Sequence, residues 1–410
     1  MTSRMNWIMQ LRIVAVAACF MPLPAVRAQD LIEEGAGSDD GISETIRTRG
    51  SQLPGQVNTG SREQRKTRRT EWMHELGLDV AFTYDALALG APGVNDGWGS
   101  SAGDATLNVR WQINADTSEA PFSLNMRARH RHAYSDLAPS ELRRETGALW
   151  GYVDGFTDAG FEVPEIYVED RLFDKRLTLR LGQMAIDDLL DSHRLRSAKR
   201  SFLNQAFSSS PGVGFPGAGM GLVARWECRS GWDVTLAASN LESSNLDETA
   251  KWRLKSDSLF QALQLGCKFE GLAGKPARAQ LMAWNAEALP EAGLASGRGA
   301  SLTLEQKWGA RGRSFLRYAW SDGEAAATAH FAALGAALDF READRLGVSV
   351  AGGRSSDAEG NREGVVEVFY RRQIGSSLFV TPDVQFVFGD GIGGGADWLV
   401  IGGVRVGFIF

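Results

Sequence analysis

Residues 105–113 of this 410-residue chain read ATLNVRWQI. Ala, Leu, Val, Trp and Ile occupy the odd positions, and Thr, Asn, Arg and Gln occupy the even ones. Because successive side chains of a β-strand point to opposite faces, this period of two predicts a strand with one apolar and one polar face. The polar face carries a full charge, Arg110, in its middle, which indicates that this face meets water or charged partners.

The same alternation recurs from residue 78 to the end of the chain, in fifteen further segments. They are 78–84, 122–128, 166–168, 177–181, 222–228, 232–238, 263–269, 277–283, 300–308, 316–320, 332–340, 346–350, 366–370, 378–384 and 398–410. Residues 75–410 number 336, or 21 for each of the sixteen segments, which suits a strand of about ten residues plus its connection.

Charges at interior positions of the strands decide which way the apolar face points. Examples are Arg127, Glu165, Arg317, Glu367 and Arg405. A closed barrel with lipid outside and water inside accommodates both faces and leaves no sheet edge in lipid. Tryptophans near segment ends fit aromatic girdles. Short connections such as 228–231 alternate with long ones such as 136–163, 185–217 and 240–257. The sequence therefore predicts an all-β fold: a transmembrane antiparallel β-barrel of about 16 strands, with short periplasmic turns and long extracellular loops.

The overall composition agrees with this class and excludes others. The formal net charge is −6, which argues against a nucleic-acid partner, since such proteins are normally basic. Glycine is abundant at 47 residues without a collagen-like period, which favours many turns and strands.

The first residues have the features of an export signal. Arg4 and Arg12 precede the apolar run 13–21, and Val26-Arg27-Ala28 fits a signal peptidase site. We expect residues 1–28 to be a signal peptide that is cleaved after Ala28. The alternative is a lipoprotein box with Cys19 as the lipid-modified residue, although Cys19 lies inside the apolar run. Residues 29–74 form a polar segment without an apolar period, which we interpret as a flexible periplasmic leader. Its basic cluster, residues 65–69, allows the alternative of a plug or a surface patch.

Several motifs resemble the carbohydrate-selective porin family, the OprB-like porins. They are PEIYVEDRLFDKRLTLRLGQM (164–184), FLNQAF (202–207), PGAGMGLVARW (216–226), TPDVQFVF (381–388) and LGLDVAFTYDA (76–86). The final strand ends in Phe410, which resembles the signal that such barrels present to the barrel-assembly machinery. The resemblance covers roughly residues 75–410 and implies a sixteen-stranded outer-membrane barrel that conducts small sugars passively. Gly389-Asp390-Gly391 stands where the resemblance implies a Pro-Gly pair after Phe388, so the last outer loop departs from the family pattern.

The candidate solute-binding residues come from the strand pattern. Arg127, Arg129 and Arg131 are spaced two apart and share one face of one strand, so with neighbouring strands they predict a basic ladder in the lumen. The complete set is Arg110, Arg127, Arg129, Arg131, Glu165, Glu169, Arg180 and Arg225. Guanidinium groups donate several hydrogen bonds and suit sugar hydroxyls, while carboxylates accept them. The alternative is that these arginines and glutamates pair with each other to stabilise the barrel wall.

The long connection 185–217, which carries Asp187, Asp188, Asp191 and the motif 202–207, has two interpretations. It either folds into the barrel and narrows it or remains an ordinary surface loop.

Enzyme chemistry finds little support in the sequence. His130 and His132 share a strand face, but no third metal ligand follows at useful spacing, so we expect no metal and no cofactor. No G-x-S-x-G, P-loop or dinucleotide motif occurs. An outer-membrane barrel enzyme is therefore a distant third alternative.

The function predicted from these observations is an outer-membrane porin for passive diffusion of small sugars. The alternative is a general or anion-preferring porin for organic acids or acidic sugars. The expected partners are outer-membrane lipid, sugars in transit and the barrel-assembly machinery. A homotrimer and a monomer are both compatible with the sequence. Cys228 and Cys267 should both be free thiols, because one strand separates theirs and places them about two strand spacings, roughly 9.5 Å, apart.

Overall fold

The computed structural model describes residue 73 and residues 76–91, 99–113, 122–242, 258–290, 293–340, 344–375, 377–390, 392 and 397–409. The predicted signal peptide 1–28, the alternative lipid site Cys19, the leader 29–74 apart from Met73, and the terminal Phe410 lie outside the described residues.

Sixteen antiparallel strands close into one barrel, in which every strand pairs with its neighbours in sequence and β1 pairs with β16. The strands are β1 (Leu78–Gly90), β2 (Ser100–Gln112), β3 (Ser123–Ala133), β4 (Gly160–Leu172), β5 (Leu177–Met184), β6 (Gly219–Glu227), β7 (Trp232–Asn240), β8 (Leu259–Glu270), β9 (Pro276–Ala286), β10 (Gly297–Trp308), β11 (Gly312–Gly323), β12 (Thr328–Phe340), β13 (Asp344–Ser355), β14 (Arg362–Ile374), β15 (Leu378–Gly389) and β16 (Trp398–Ile409). Each of the sixteen segments predicted from the alternation falls on one of these strands, so the predicted fold class is confirmed.

Residues that alternate along each strand face alternately the outside and the inside of the barrel. In β12, Leu334 and Leu338 are 52% and 43% exposed, whereas Ala333 and Ala337, which directly precede them, are buried. An exposed apolar face on every side suits lipid contact. Five of the tryptophans proposed as girdle residues are exposed near strand ends: Trp111, Trp226, Trp308, Trp320 and Trp398.

The two ends of the barrel differ in their connections, as predicted. At one end, which we call the short-turn end, β6 joins β7 across residues 228–231 and β10 joins β11 across 309–311. The chain enters β1 and leaves β16 at this end. At the opposite, long-loop end, β3 joins β4 across 134–159 and β5 joins β6 across 185–218. Exceptions occur at both ends, because the connections 324–327 and 356–361 at the long-loop end are short and the connection 113–122 at the short-turn end is longer than the others there.

The helices in the described residues are single turns, chiefly α1 (Leu142–Thr146) and α2 (Gln205–Ser208), and none of them is long and apolar enough to cross a membrane. Cys228 and Cys267 are not joined by a disulfide, and β7 lies between Cys228, which follows β6, and Cys267 of β8, as predicted.

Candidate functional site

The connection 185–218, which we call the inner loop, lies inside the barrel. Thr303 of β10 donates to Asp191 at 2.6 Å, and Asn204 donates to Gln385 of β15 at 2.9 Å. One segment can reach the inward side chains of such distant strands only from the interior. Of the two interpretations of this connection, the structure therefore favours the loop that narrows the barrel.

Apolar side chains of the inner loop pack against inward aromatic residues of β11 and β14. The ring of Phe202 lies 5.3 Å from Phe207, 6.0 Å from Phe315 and 4.9 Å from Phe369. Trp150, from the connection 134–159, adds an edge contact of 5.8 Å to Phe331 of β12. These six buried rings form what we call the aromatic core.

Polar contacts fix the same loop to the wall. Asn204 caps α2 by accepting from the backbone amide of Ala206 at 2.9 Å. Both oxygens of Glu367 on β14 accept backbone amides, from Leu203 at 2.5 Å and from Asn204 at 2.9 Å. Arg317 on β11 forms an ion pair with Asp191 at 2.5 Å, and both side chains are almost completely buried.

Two of the predicted site residues, Arg127 and Glu165, meet on the opposite wall. Arg127 Nη1 lies 2.6 Å from Glu165 and 3.2 Å from Asp188 of the inner loop, and Arg127 Nε donates to Asn108 at 3.1 Å. The cavity beside them measures only about 10 Å³, the room of roughly one water molecule. These side chains are therefore packed together, and they tie the inner loop to β3 and β4.

Glu169 is the centre of a second ion-pair group. Its carboxylate lies 2.7 Å from Arg180, 3.1 Å from Arg171 and 3.7 Å from Arg110. Arg110 keeps 17% of its side chain exposed, against 3% for Arg180. Arg110 therefore reaches the lumen, while Arg180 is held within the wall.

Arg129 and Arg131 share the inward face of β3 with Arg127, as the spacing predicted. Arg129 pairs with Asp104 of β2 and Arg131 with Glu162 of β4, and their side chains are 19% and 16% exposed. The pairing of β3 with β4 shifts register between Arg127 and Arg129, opposite Pro164. Proline cannot donate to the sheet, so a bulge is the place where a strand tolerates it.

Arg225 lies apart from the other predicted residues, in an alternating row of inward charges near the short-turn end. Its guanidinium is 3.4 Å from Asp233 of β7, which also lies 3.7 Å from Arg278 of β9. The row, which we call the charged belt, consists of Arg225, Asp233, Arg278, Glu305, Arg313, Asp339 and Arg345. Gly266 of β8 leaves the space that Asp233 occupies, because a Cβ there would collide with its carboxylate.

Sequence reasoning missed most partners of the predicted arginines. Asp104 and Asp233 lie on the inward face of strands that the alternation had identified, so parity alone could have found them. The partnership of Asp188 with Arg127 depends on the path of the inner loop, and no local pattern signals that path.

Burial and neighbouring charges shift the pKa values of two inner-loop residues, Asp191 and His193. Burial alone would raise the pKa of Asp191, but Arg317 and hydrogen bonds from Thr303 and Ser210 outweigh it and hold that pKa below its usual range. Burial is the main cause that lowers the pKa of His193 well below its ordinary value, and Arg317 and Arg196 add to it.

No group of three or more His, Cys, Asp or Glu side chains that could hold a metal ion occurs in the described part of the chain.

The closed barrel, its apolar outer face and the loop folded into a charged interior define the chain as a porin-type membrane-spanning barrel. The resemblance that the motifs predicted is confirmed. The model of the carbohydrate-selective porin, OprB family, matches residues 269–410.

Solved structures show the same fold. The high-pH structure of Pseudomonas putida OprB aligns with a TM-score of 0.67 at 14% identity, covering 88% of this chain and 99% of that one. Its low-pH structure gives a TM-score of 0.54 at 12% identity and covers 88% and 100%. A mutant of the Rh. blastica porin aligns with a TM-score of 0.50 at 12% identity, covering 81% and 100%. No curated protein sequence matches the chain.

Proposed function

We propose that this chain is an outer-membrane porin through which small neutral sugars diffuse passively and selectively. The observation that carries the proposal is a lumen narrowed by the inner loop and lined with arginine and carboxylate groups of opposite sign. The match to the carbohydrate-selective porin family over residues 269–410 supports the same solute class.

Pairing of the predicted arginines with carboxylates favours neutral sugars over the anion-preferring alternative. The predicted set contains six arginines and only two glutamates, which by itself would attract anions. Asp104, Glu162, Asp188 and Asp233 also contact these arginines, so that each of the six has at least one carboxylate partner. Alternating donors and acceptors can replace part of the hydration of a sugar without holding an ion.

Within the site, exposure divides the predicted residues by role. Arg110, Arg129, Arg131 and Arg225 keep 11–19% of their side chains exposed, so we assign them to contact with the solute. Arg127, Glu165, Glu169 and Arg180 are at most 8% exposed and position the others. Binding should be weak, because a channel that holds its solute tightly cannot release it.

The proposal is tested with the purified full chain in two assays. Liposome swelling compares neutral sugars with sugar acids of equal size, and we expect the neutral sugars to enter faster. In planar bilayers, sugar should block the ion current. The double variants Arg129→Ala/Arg131→Ala and Arg225→Ala/Arg278→Ala should each weaken that block and shift selectivity toward cations, because each removes two positive charges from the lumen while their carboxylate partners remain.

The exposed pair Arg298–Asp322 at the long-loop end supplies the control, since its side chains are 70% and 57% exposed and lie away from the charged belt. Arg298→Ala should leave both assays unchanged. Faster entry of sugar acids would favour the organic-acid alternative. Unchanged block and selectivity in both double variants would place these arginines outside the conduction path and contradict the proposal.

The remaining expectations concern export and assembly. We infer export through cleavage after Ala28, insertion by the barrel-assembly machinery through the strand that ends in Phe410, and possible assembly as a homotrimer. The intact mass of the outer-membrane protein tests the cleavage site, and a lipid-modified Cys19 would contradict it. Deletion of Phe410 tests insertion, and normal insertion of that variant would contradict the role of Phe410. Mass photometry in detergent tests the homotrimer, and a monomer would contradict it. No catalytic step enters the proposal, so we expect a channel without enzymatic activity.

A further inference from the structure

Two arginines beneath the inner loop carry charges that no carboxylate touches. Arg371 of β14 and Arg405 of β16 both have zero exposure. Arg371 Nη1 donates to the backbone oxygen of Arg200 at 2.9 Å, and Arg405 Nη2 donates to that of Ser201 at 3.0 Å. Among the described residues, no carboxylate oxygen lies within 4.0 Å of either guanidinium, whereas Arg317 on the same wall has Asp191 at 2.5 Å.

Donors of these two arginines are left without partners on the same patch of wall. They are Nε and Nη2 of Arg371 and Nε of Arg405, and the hydroxyl of Thr381 is also buried and unpartnered in the described structure. Thr381 is the register partner of Arg405 across β15 and β16, and Arg372 pairs with Val380 across β14 and β15. Thr381 therefore lies between the two arginines in one row of inward side chains.

Arg200 of the inner loop closes this group. Its guanidinium lies 4.2 Å from the ring centre of Phe379 and pairs with Asp85 at 2.5 Å, yet its Nε and Nη2 are also buried without a partner. The carboxyls of Asp383, Asp85 and Glu367 act on Arg405 only through space, without a contact within 4.0 Å. The patch thus combines three buried guanidinium groups with a single direct carboxylate contact.

A buried, uncompensated charge is costly, and backbone carbonyls or water supply hydrogen bonds without supplying the opposite charge. Several donors that face one small buried space are the arrangement that binds an anion. We propose that a small inorganic anion of the size of chloride binds between Arg371, Thr381 and Arg405, within reach of Arg200. Because the same arginines hold the backbone of residues 198–201, the anion fastens the inner loop to β14–β16.

Bromide is the probe, because it replaces chloride and scatters anomalously. In crystals of the full chain soaked in sodium bromide, we expect an anomalous peak within hydrogen-bonding distance of Arg371, Thr381 and Arg405. The peak should vanish in Arg371→Gln/Arg405→Gln and persist in the rim control Arg298→Gln. Ordered water only at this position, or bromide only at surface positions, would overturn the proposal.

A second measurement does not depend on the double variant folding. Hydrogen–deuterium exchange of peptides from 185–218 in the unmodified protein should be at least severalfold slower in chloride or bromide than in methanesulfonate at equal ionic strength. Methanesulfonate is larger than chloride and bromide, so a site that fits chloride should not accept it. Equal exchange in all three salts would contradict the proposal. Sugar diffusion is measured separately, so failure of the anion site leaves the proposed function standing, and the reverse also holds.

Discussion

The two sides of the barrel interior are built from different interactions. On β2–β5, arginines and carboxylates pair with each other, and Arg110, Arg129 and Arg131 keep part of their surface exposed. On β11–β16, the wall is covered by the inner loop, and the aromatic core fills the contact. We call these the ion-paired wall and the loop-bearing wall. The difference separates two tasks, because the ion-paired wall presents polar groups to the lumen and contacts the inner loop through charged and polar groups, while the loop-bearing wall packs against its apolar part.

The largest effect is expected at the ion pair of the loop-bearing wall. Arg317→Ala leaves Asp191 buried without its cation, which should cost about 3–5 kcal/mol of the free energy that holds the inner loop in place. Released from β11, the loop should occupy less of the lumen, so single-channel conductance and current noise should both rise.

The double variant Arg317→Met/Asp191→Leu is the matched control for that prediction. Removing both charges removes the uncompensated one, so the loop should be held better than in either single variant. Conductance of Arg317→Ala equal to that of the unmodified channel would mean that the ion pair does not hold the loop.

A smaller effect is expected when low pH destabilises the packing of the inner loop on the loop-bearing wall. The ring of His193 stacks 3.9 Å from Phe315, and Nε2 donates to the backbone oxygen of Phe207 at 3.2 Å. Its depressed pKa means that the packed loop keeps His193 neutral when a released loop would accept a proton. The packed state therefore has its full stability above pH of about 6.5 and loses about 1.4 kcal/mol per pH unit below it, down to the depressed pKa.

Hydrogen–deuterium exchange of 185–218 should accordingly speed up between pH 7 and pH 5.5, after correction for the intrinsic rate. Asp191 stays ionised over this range because its pKa is held below the usual one. His193→Asn removes this titrating group, so its corrected exchange should depend less steeply on pH than that of the unmodified protein. An equally steep dependence in that variant would assign the effect to another group.

How far the sequence predicts this molecule differs between the two walls. On the ion-paired wall, the period of two was sufficient, because each charge in 105–113 and 122–133 faces inward as its parity requires. On the loop-bearing wall, Phe315, Phe331 and Phe369 also face inward, although the same rule reserves that side for polar residues. Apolar residues on the polar parity are the signal of a covered wall, but only the folded chain shows that the motif 202–207 covers it.

A milder change is expected when one carboxylate of the ion-paired wall is neutralised. Glu165→Gln keeps a hydrogen-bond acceptor for Arg127, and Asp188 remains 3.2 Å away as its anion. The cost should be about 1 kcal/mol, since the charge on Arg127 is not left alone. The lumen loses one negative charge, so the reversal potential in a potassium chloride gradient should shift toward anion preference. A shift toward cations would contradict the assignment of Glu165 to the inner face.

The smallest effect on stability and conductance is expected for an arginine–aspartate pair that is exposed to water. Arg298 and Asp322 lie 3.0 Å apart at the long-loop end, but their side chains are 70% and 57% exposed. An exposed pair gains little, because water and salt screen its attraction and both long side chains lose freedom in forming it. Arg298→Ala should therefore change thermal stability of the folded barrel by well under 1 kcal/mol, with unchanged conductance. Set against Arg317→Ala, the comparison keeps an arginine–aspartate pair and changes chiefly its burial, although Arg317 also donates to Ser209 and Ser210. Similar losses in both variants would show that burial does not distinguish the two pairs, and the account of the loop-bearing wall would then be wrong.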